Sequence, residues 1–244
     1  RSLLSLTLAA AAAGLLGTAP LAAPARAAAA PESIGIDWAY YNPVSILLKK
    51  KGWFEEEFAA DGIEVRWVLS LGSNKALEFL RGGSVDFGST AGAAAVIGRA
   101  GGLPIKSIYA YSQHPDGYTA LEKGQVDAWA GLDPHMAKGE LQSGARLFYR
   151  NPDLNTYGIL NVREAFATDH PDLVKRVLAV YERGRIYAIE HPDELRDALV
   201  EAAHIDPAVA EKQLSERTNL SNSTLGQAHR ETFRAAGEIL HHEV

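Results

Sequence analysis

The chain contains no cysteine. That excludes disulfides, thiolate-held metals, iron–sulfur clusters, cysteine nucleophiles and a lipid-bearing N-terminal thiol. Basic residues are also in deficit: 24 Lys and Arg stand against 30 Asp and Glu, for a formal net charge of −6 over 244 residues. A nucleic-acid binder needs a basic face, so that class of partner is set aside. The 8 histidines show no zinc-like spacing, and no nucleophile elbow, P-loop or HExxH motif is present. No activated nucleophile, acid–base pair or metal cluster can be assembled, so neither enzymatic turnover nor a cofactor is expected. Long apolar runs are missing too, except at the N-terminus.

There Arg1 leads into Leu3 to Leu16, followed by Pro20, Pro24 and the small-x-small site Ala25-Arg26-Ala27. This is the layout of a secretory leader over residues 1–27, with the basic n-region clipped and cleavage after Ala27. The apolar core is short and alanine-rich for a membrane span. Export to the periplasm is the expectation. With 47% hydrophobic and 22% charged residues, the remainder reads as an ordinary globular protein.

From Ser33 the pattern alternates strand and helix. Ile34 to Trp38 reads as a strand. Asn42 caps a helix with Pro43 at its first position, where the missing N–H has no cost, and Gly52 ends it. Phe54 to Ala60 is a short helix and Ile63 to Leu69 a strand. Gly72-Ser73-Asn74 opens a helix that stops at Gly82-Gly83. Val85 to Gly88 is a strand, Ser89-Thr90 opens a helix to Arg99, and Ile105 to Tyr111 is a strand. Short alternating units predict an α/β fold with a parallel sheet covered on both faces. Beyond it, Ala120 to Lys123 reads as helix, Gln125 to Ala130 as strand, Pro134 as a helix start, Arg146 to Tyr149 as an edge strand and Tyr157 to Val162 as strand. The rest is helical. Leu173, Val177, Tyr181 and Ala188 share one face, and Asp193 to Ala203, Pro207 to Glu216 and Thr224 to Val244 follow.

SLGSNKALEFLRGGSVDFGST (Ser70 to Thr90) and QVDAWAGLDPHMAKGELQSGARLF (Gln125 to Phe148) resemble the aliphatic sulfonate, taurine and nitrate solute-binding proteins of ABC importers. IGIDWAYYNP and LNVREAFATDHPDLVKRVL match the same family in order. The resemblance implies two α/β lobes of the type II periplasmic-binding kind around a ligand cleft, a small anionic ligand, permease subunits as partners, and a monomer. It gives a first lobe over 31–112, a remnant of the second over 113–165, and C-terminal helices over 166–244 packing back on the lobes. One departure is large. Tyr111-Ser112-Gln113 runs directly into His114-Pro115-Asp116-Gly117, where the family inserts a further block of about two βαβ units. By that comparison the second lobe is incomplete and the C-terminus short, and weak binding is expected.

A sulfonate is permanently ionised and only accepts hydrogen bonds. Its natural host is a set of converging N–H and hydroxyl donors at helix N-termini, which cluster beyond the carboxyl ends of strands in an open α/β sheet. The candidates are Asn42, Gly72, Ser73, Asn74, Ser89 and Thr90, although the same residue types also serve as plain caps. Trp38, Tyr41 and Trp129 are candidates to wall an alkyl or aryl chain, with core packing the competing reading. Asp133 is a candidate for a ligand ammonium such as that of taurine, or an N-cap. Nitrate or bicarbonate, or a thiamine-pyrimidine precursor, are alternative ligands, and a non-binding remnant is the alternative to all of them.

Overall fold

The computed structural model describes residues 29–112, 127–128, 133–150 and 157–243. The leader, the Ala120 to Lys123 helix and nearly all of the Gln125 to Ala130 strand lie outside them. The first half follows its local punctuation. Strand β1 (Ser33–Trp38) leads into α1 (Pro43–Lys51). Asn42 caps α1 by accepting from the Ser45 amide, and Gly52 closes it in the left-handed conformation at φ 67, a region that favours glycine. Then come α2 (Trp53–Phe58), β2 (Glu64–Leu69), α3 (Ser73–Gly82), β3 (Phe87–Ala91), α4 (Gly92–Ala100) and β4 (Ile105–Ser112). One expectation fails here. Ser89 and Thr90 do not open a helix; both lie inside β3, fully buried, and α4 starts two residues later at Gly92.

The second half contributes α5 (His135–Gln142), β5 (Gly158–Arg163), α6 (Glu164–Asp169), α7 (Pro171–Glu190), α8 (Pro192–Ala203), α9 (Pro207–Arg217) and α10 (Gln227–Glu243). The expected edge strand from Arg146 to Tyr149 is absent. These residues form no ladder with any described segment, and Phe148 and Tyr149 are 70% and 65% exposed. No helix among the described residues is long and apolar enough to cross a membrane.

The five strands form one sheet in the order β2-β1-β3-β5-β4. β1 is parallel to both β2 and β3. β5 runs antiparallel to its neighbours β3 and β4, so four strands point one way and β5 the other. β5 falls within the span expected for the second lobe, yet both its ladder partners come from the first 112 residues. Asn161 at its centre is fully buried. Its amide donates to Thr90 Oγ1 at 2.8 Å and to the Gly88 carbonyl at 3.2 Å, and its oxygen accepts from Ser107 Oγ at 2.8 Å. One side chain thus stitches three strands.

Both faces of the sheet are covered. On one, α1, α2 and α7 bury Ile34, Ile36, Leu47, Phe54, Phe87, Leu160, Val177 and Tyr181 in the main core. On the other, α3 and the α4–β4 connection enclose Leu80, Val85, Leu103 and Ile105. Close approach explains one glycine. A Cβ on Gly35 would stand 2.9 Å from Ser84 O and from Val85 Cα. Bareness there lets the chain entering β3 cross β1, where Asp86 accepts from Gly35 N at 2.8 Å and pairs with Arg163.

Candidate functional site

Because β1, β2 and β3 are parallel, the loops that follow them all emerge at one edge of the sheet. Each leads straight into a helix, so the N-termini of α1, α3 and α4 lie together there. These starts differ in how their amides are used. At α1 the side chains satisfy the backbone: Asn42 Oδ1 accepts from Ser45 N at 3.3 Å, and Ser45 Oγ accepts from Ala39 N at 3.1 Å while donating to Asn42 O at 2.6 Å. Asn42 is fully buried; it is a cap here, as the plainer reading had it.

At α3 and α4 the cap positions are Gly72 and Ala91, and neither provides a capping side chain. Ser73 Oγ accepts from Ala91 N at 3.0 Å, tying the two starts together. Gly92 N donates to Tyr157 O at 2.8 Å. The amides of Ser73, Asn74 and Lys75 have no backbone acceptor among the described residues. Gly72 and Ser73 are half-buried, Asn74 is exposed, and Leu71 beside them is 70% exposed. This corner offers N–H groups unpaired among the described residues, the partial positive charge of two helix ends and an exposed apolar side chain.

Beneath it lies a buried polar layer. Ser89 donates to Asp37 through both its amide and its hydroxyl, each at 2.8 Å, and its hydroxyl accepts from Asn42 Nδ2 at 2.9 Å. Tyr41 Oη donates to Ser89 O at 3.2 Å, and Tyr111 Oη approaches Thr90 O at 3.5 Å. Asp37 itself is fully buried. Burial lifts its carboxyl from the ordinary 3.8 to about 6, against the opposing effect of the Ser89 bonds. The Ser70 hydroxyl also favours the charged form, although it makes no hydrogen bond of ordinary geometry.

The predicted residues therefore separate. Gly72, Ser73 and Asn74 line the open corner. Asn42, Ser89, Thr90 and Tyr41 belong to the layer underneath, with their polar atoms engaged internally. Trp38 packs with Tyr40, their rings 5.8 Å apart, against the small core around Ala198, Leu199 and Ala210, and Lys49 Nζ lies 5.2 Å from its ring. Trp129 is outside the described residues. Asp133 is buried. It accepts from Ala137 N at 3.0 Å at the head of α5 and pairs with Arg217 at 3.0 Å, and Arg217 also binds Glu140. Burial raises the Asp133 pKa and Arg217 opposes it. In this structure its charge is neutralised within the protein.

Sequence reasoning missed Leu71, Ala91 and Asp37. An exposed leucine before a Gly-Ser-Asn turn was a readable signal for the first. Asp37 was hidden because an isolated aspartate in a strand carries no periodic signature.

The NMT1/THI5-like family profile matches residues 44–120 and 116–195. A putative aliphatic sulfonates-binding protein of Bacillus subtilis is 24% identical over 229 residues, covering 69% of each chain. That share of this chain is about 168 residues, so some 60 aligned positions have no counterpart here. Among solved structures, the periplasmic aliphatic sulphonate binding protein SsuA of Escherichia coli superposes with a TM-score of 0.76 at 16% identity, covering 88% of each chain. The alkanesulfonate-binding protein SsuA of Xanthomonas axonopodis pv. citri, bound to MOPS, does so at 0.78 and 18% identity, covering 88% of this chain and 94% of that one. The sheet with its one reversed strand inside the parallel set, the helix starts gathered at one edge and the profile matched over more than half the length together identify this chain as a member of the NMT1/THI5-like family with the periplasmic-binding-protein fold.

Proposed function

We propose that this protein is the extracytoplasmic solute-binding component of an ABC importer, and that it captures a small anion, with an aliphatic sulfonate the best fit. The observation that carries this reading is the corner formed by Leu71 to Asn74 and Ala91: unpaired amides at helix starts, a bridging hydroxyl and an exposed leucine. Amides and helix ends suit the sulfonate oxygens, and Leu71 suits the alkyl group. The relatives bear names of sulfonate-binding proteins, which supports the same ligand class. In this reading the chain is exported, works as a monomer and passes its ligand to permease subunits without transforming it.

Calorimetry against alkanesulfonates, taurine, nitrate and sulfate tests the proposal. The expected result is saturable binding of an alkanesulfonate, weakened by Ser73→Ala, with the ligand recovered unchanged. Heats indistinguishable from dilution across the panel would overturn it.

A further inference from the structure

Asp37 is a fully buried carboxylate whose partners among the described residues are all neutral: the amide and hydroxyl of Ser89, with the Ser70 hydroxyl nearby. No Lys, Arg or His pairs with it among the described residues. The titratable groups that face it are Tyr111 from β4 and Tyr181 from α7, with Tyr41 reaching the same serine from the start of α1. None carries positive charge. A buried carboxylate without a cation is an expensive arrangement, and this one is tied to the strand that ends at the open corner. Ser89, which holds it, is two residues before Ala91 on β3, about 7 Å along the strand at the usual rise. Ala91 N in turn is bound to Ser73 at the head of α3.

An anion seated on those helix starts feels this fixed charge through protein rather than water. Repulsion grows with each charge the ligand carries, and it falls away when the carboxylate takes up a proton. We infer that Asp37 is the charge-selecting residue of this corner: it favours a singly charged anion over a doubly charged one and links capture of the anion to uptake of a proton. The inference rests on the anion-binding reading of the corner. It addresses what that reading leaves open, namely how a site made of amides would tell a sulfonate from a sulfate that presents the same three-oxygen face.

The experiment compares ethanesulfonate with sulfate by calorimetry, on the full chain and on Asp37→Asn, at pH 5.5 and pH 8. In the parent, preference for ethanesulfonate should be about tenfold larger at pH 8 than at pH 5.5, and Asp37→Asn should hold the smaller preference at both. Binding near pH 6.5 in two buffers of different ionisation enthalpy should report proton uptake by the parent and none by the variant. A merely structural role would weaken both anions alike and leave their ratio unchanged, and that outcome overturns the inference. So does ethanesulfonate binding with no proton uptake. If Asp37→Asn does not fold, the proton count and pH-dependent ratio of the parent decide the matter alone. If neither anion binds the parent at either pH, the anion-binding reading falls as well.

Discussion

The ring of Phe233 lies directly on the backbone of Gly92: a Cβ added at that glycine would stand 2.3 Å from Phe233 Cε1. Gly92 opens α4, its amide donates to Tyr157 O, and the Tyr157 ring packs on His229 at 4.1 Å. The last helix is thus seated against the head of α4. Gly92→Ala should lift it, destabilising the protein by about 1–3 kcal/mol as overpacking does. Shortening the ring with Phe233→Ala in the same chain should recover part of that loss, since the two changes act on one contact. Denaturant melts of the four-member cycle measure the coupling; strictly additive effects would contradict the contact.

Arg217 and Asp133 form the most buried ion pair among the described residues, their side chains 4% and 3% exposed. It joins the end of α9 to the head of α5. Removing one member leaves the other charged and desolvated, so Arg217→Met should cost about 3–5 kcal/mol. The double variant Asp133→Asn, Arg217→Met should cost much less. Urea midpoints check this, and equal loss in single and double variants would show that α9 packing, not the charge, dominates.

Asp37 sets a pH dependence whose sign follows from its raised pKa. The folded carboxyl protonates near 6 and the unfolded one near 3.8. Folding therefore binds the proton more tightly, and this group adds stability as pH falls from above 6 toward 3.8, then loses it again as pH rises. At neutral pH its ionised form is a burden, so Asp37→Asn should stabilise the protein at pH 8 by about 1–3 kcal/mol and flatten its melting profile between pH 4 and 7. Melting temperatures across that range provide the measurement. A variant less stable than the parent at pH 8 would mean that the two Ser89 bonds outweigh desolvation.

Ser73→Ala and Thr90→Ala should part company. Ser73 is half-buried at the open corner and accepts from Ala91 N. Its loss should weaken sulfonate binding by about tenfold, the scale of one hydrogen bond to a charged group, with a small effect on stability. Thr90 is fully buried and accepts from Asn161. Its loss should lower stability by about 1 kcal/mol or more and change affinity little. Calorimetry and denaturation on the same two proteins separate the roles; a Thr90→Ala protein that folds normally yet binds poorly would reverse the assignment.

How much of this was legible depends on how local each signal is. The limits of α1 were readable because Asn42, Pro43 and Gly52 act through their own backbone neighbours. Gly72-Ser73 was readable for the same reason. Ser89-Thr90 misled because the hydroxyl residues that cap helices also suit a buried strand with polar partners, and those partners, Asp37 and Asn161, lie 52 and 71 residues away. Arg146 to Tyr149 has a strand's composition, but a ladder needs a partner, and none of the described segments pairs with it. The place of β5 could not be read from residues 157–163 at all, since a strand's apolar pattern is the same whether it lies at an edge or in the middle, along its neighbours or against them.

That place has a temporal consequence. β3 and β4 never touch as neighbours; each pairs with β5, which arrives only at residue 158. Until then a nascent chain leaves the facing edges of β3 and β4 open, and no fragment ending at Ser112 can complete its own sheet. Closure requires the chain to bring together residues dozens of positions apart, a step that is slow by nature because the loop entropy is lost before the ladder forms. The fold is therefore committed late, by a strand that comes back, so a truncation before Gly158 should yield not a smaller stable lobe but a chain with exposed edges that aggregates.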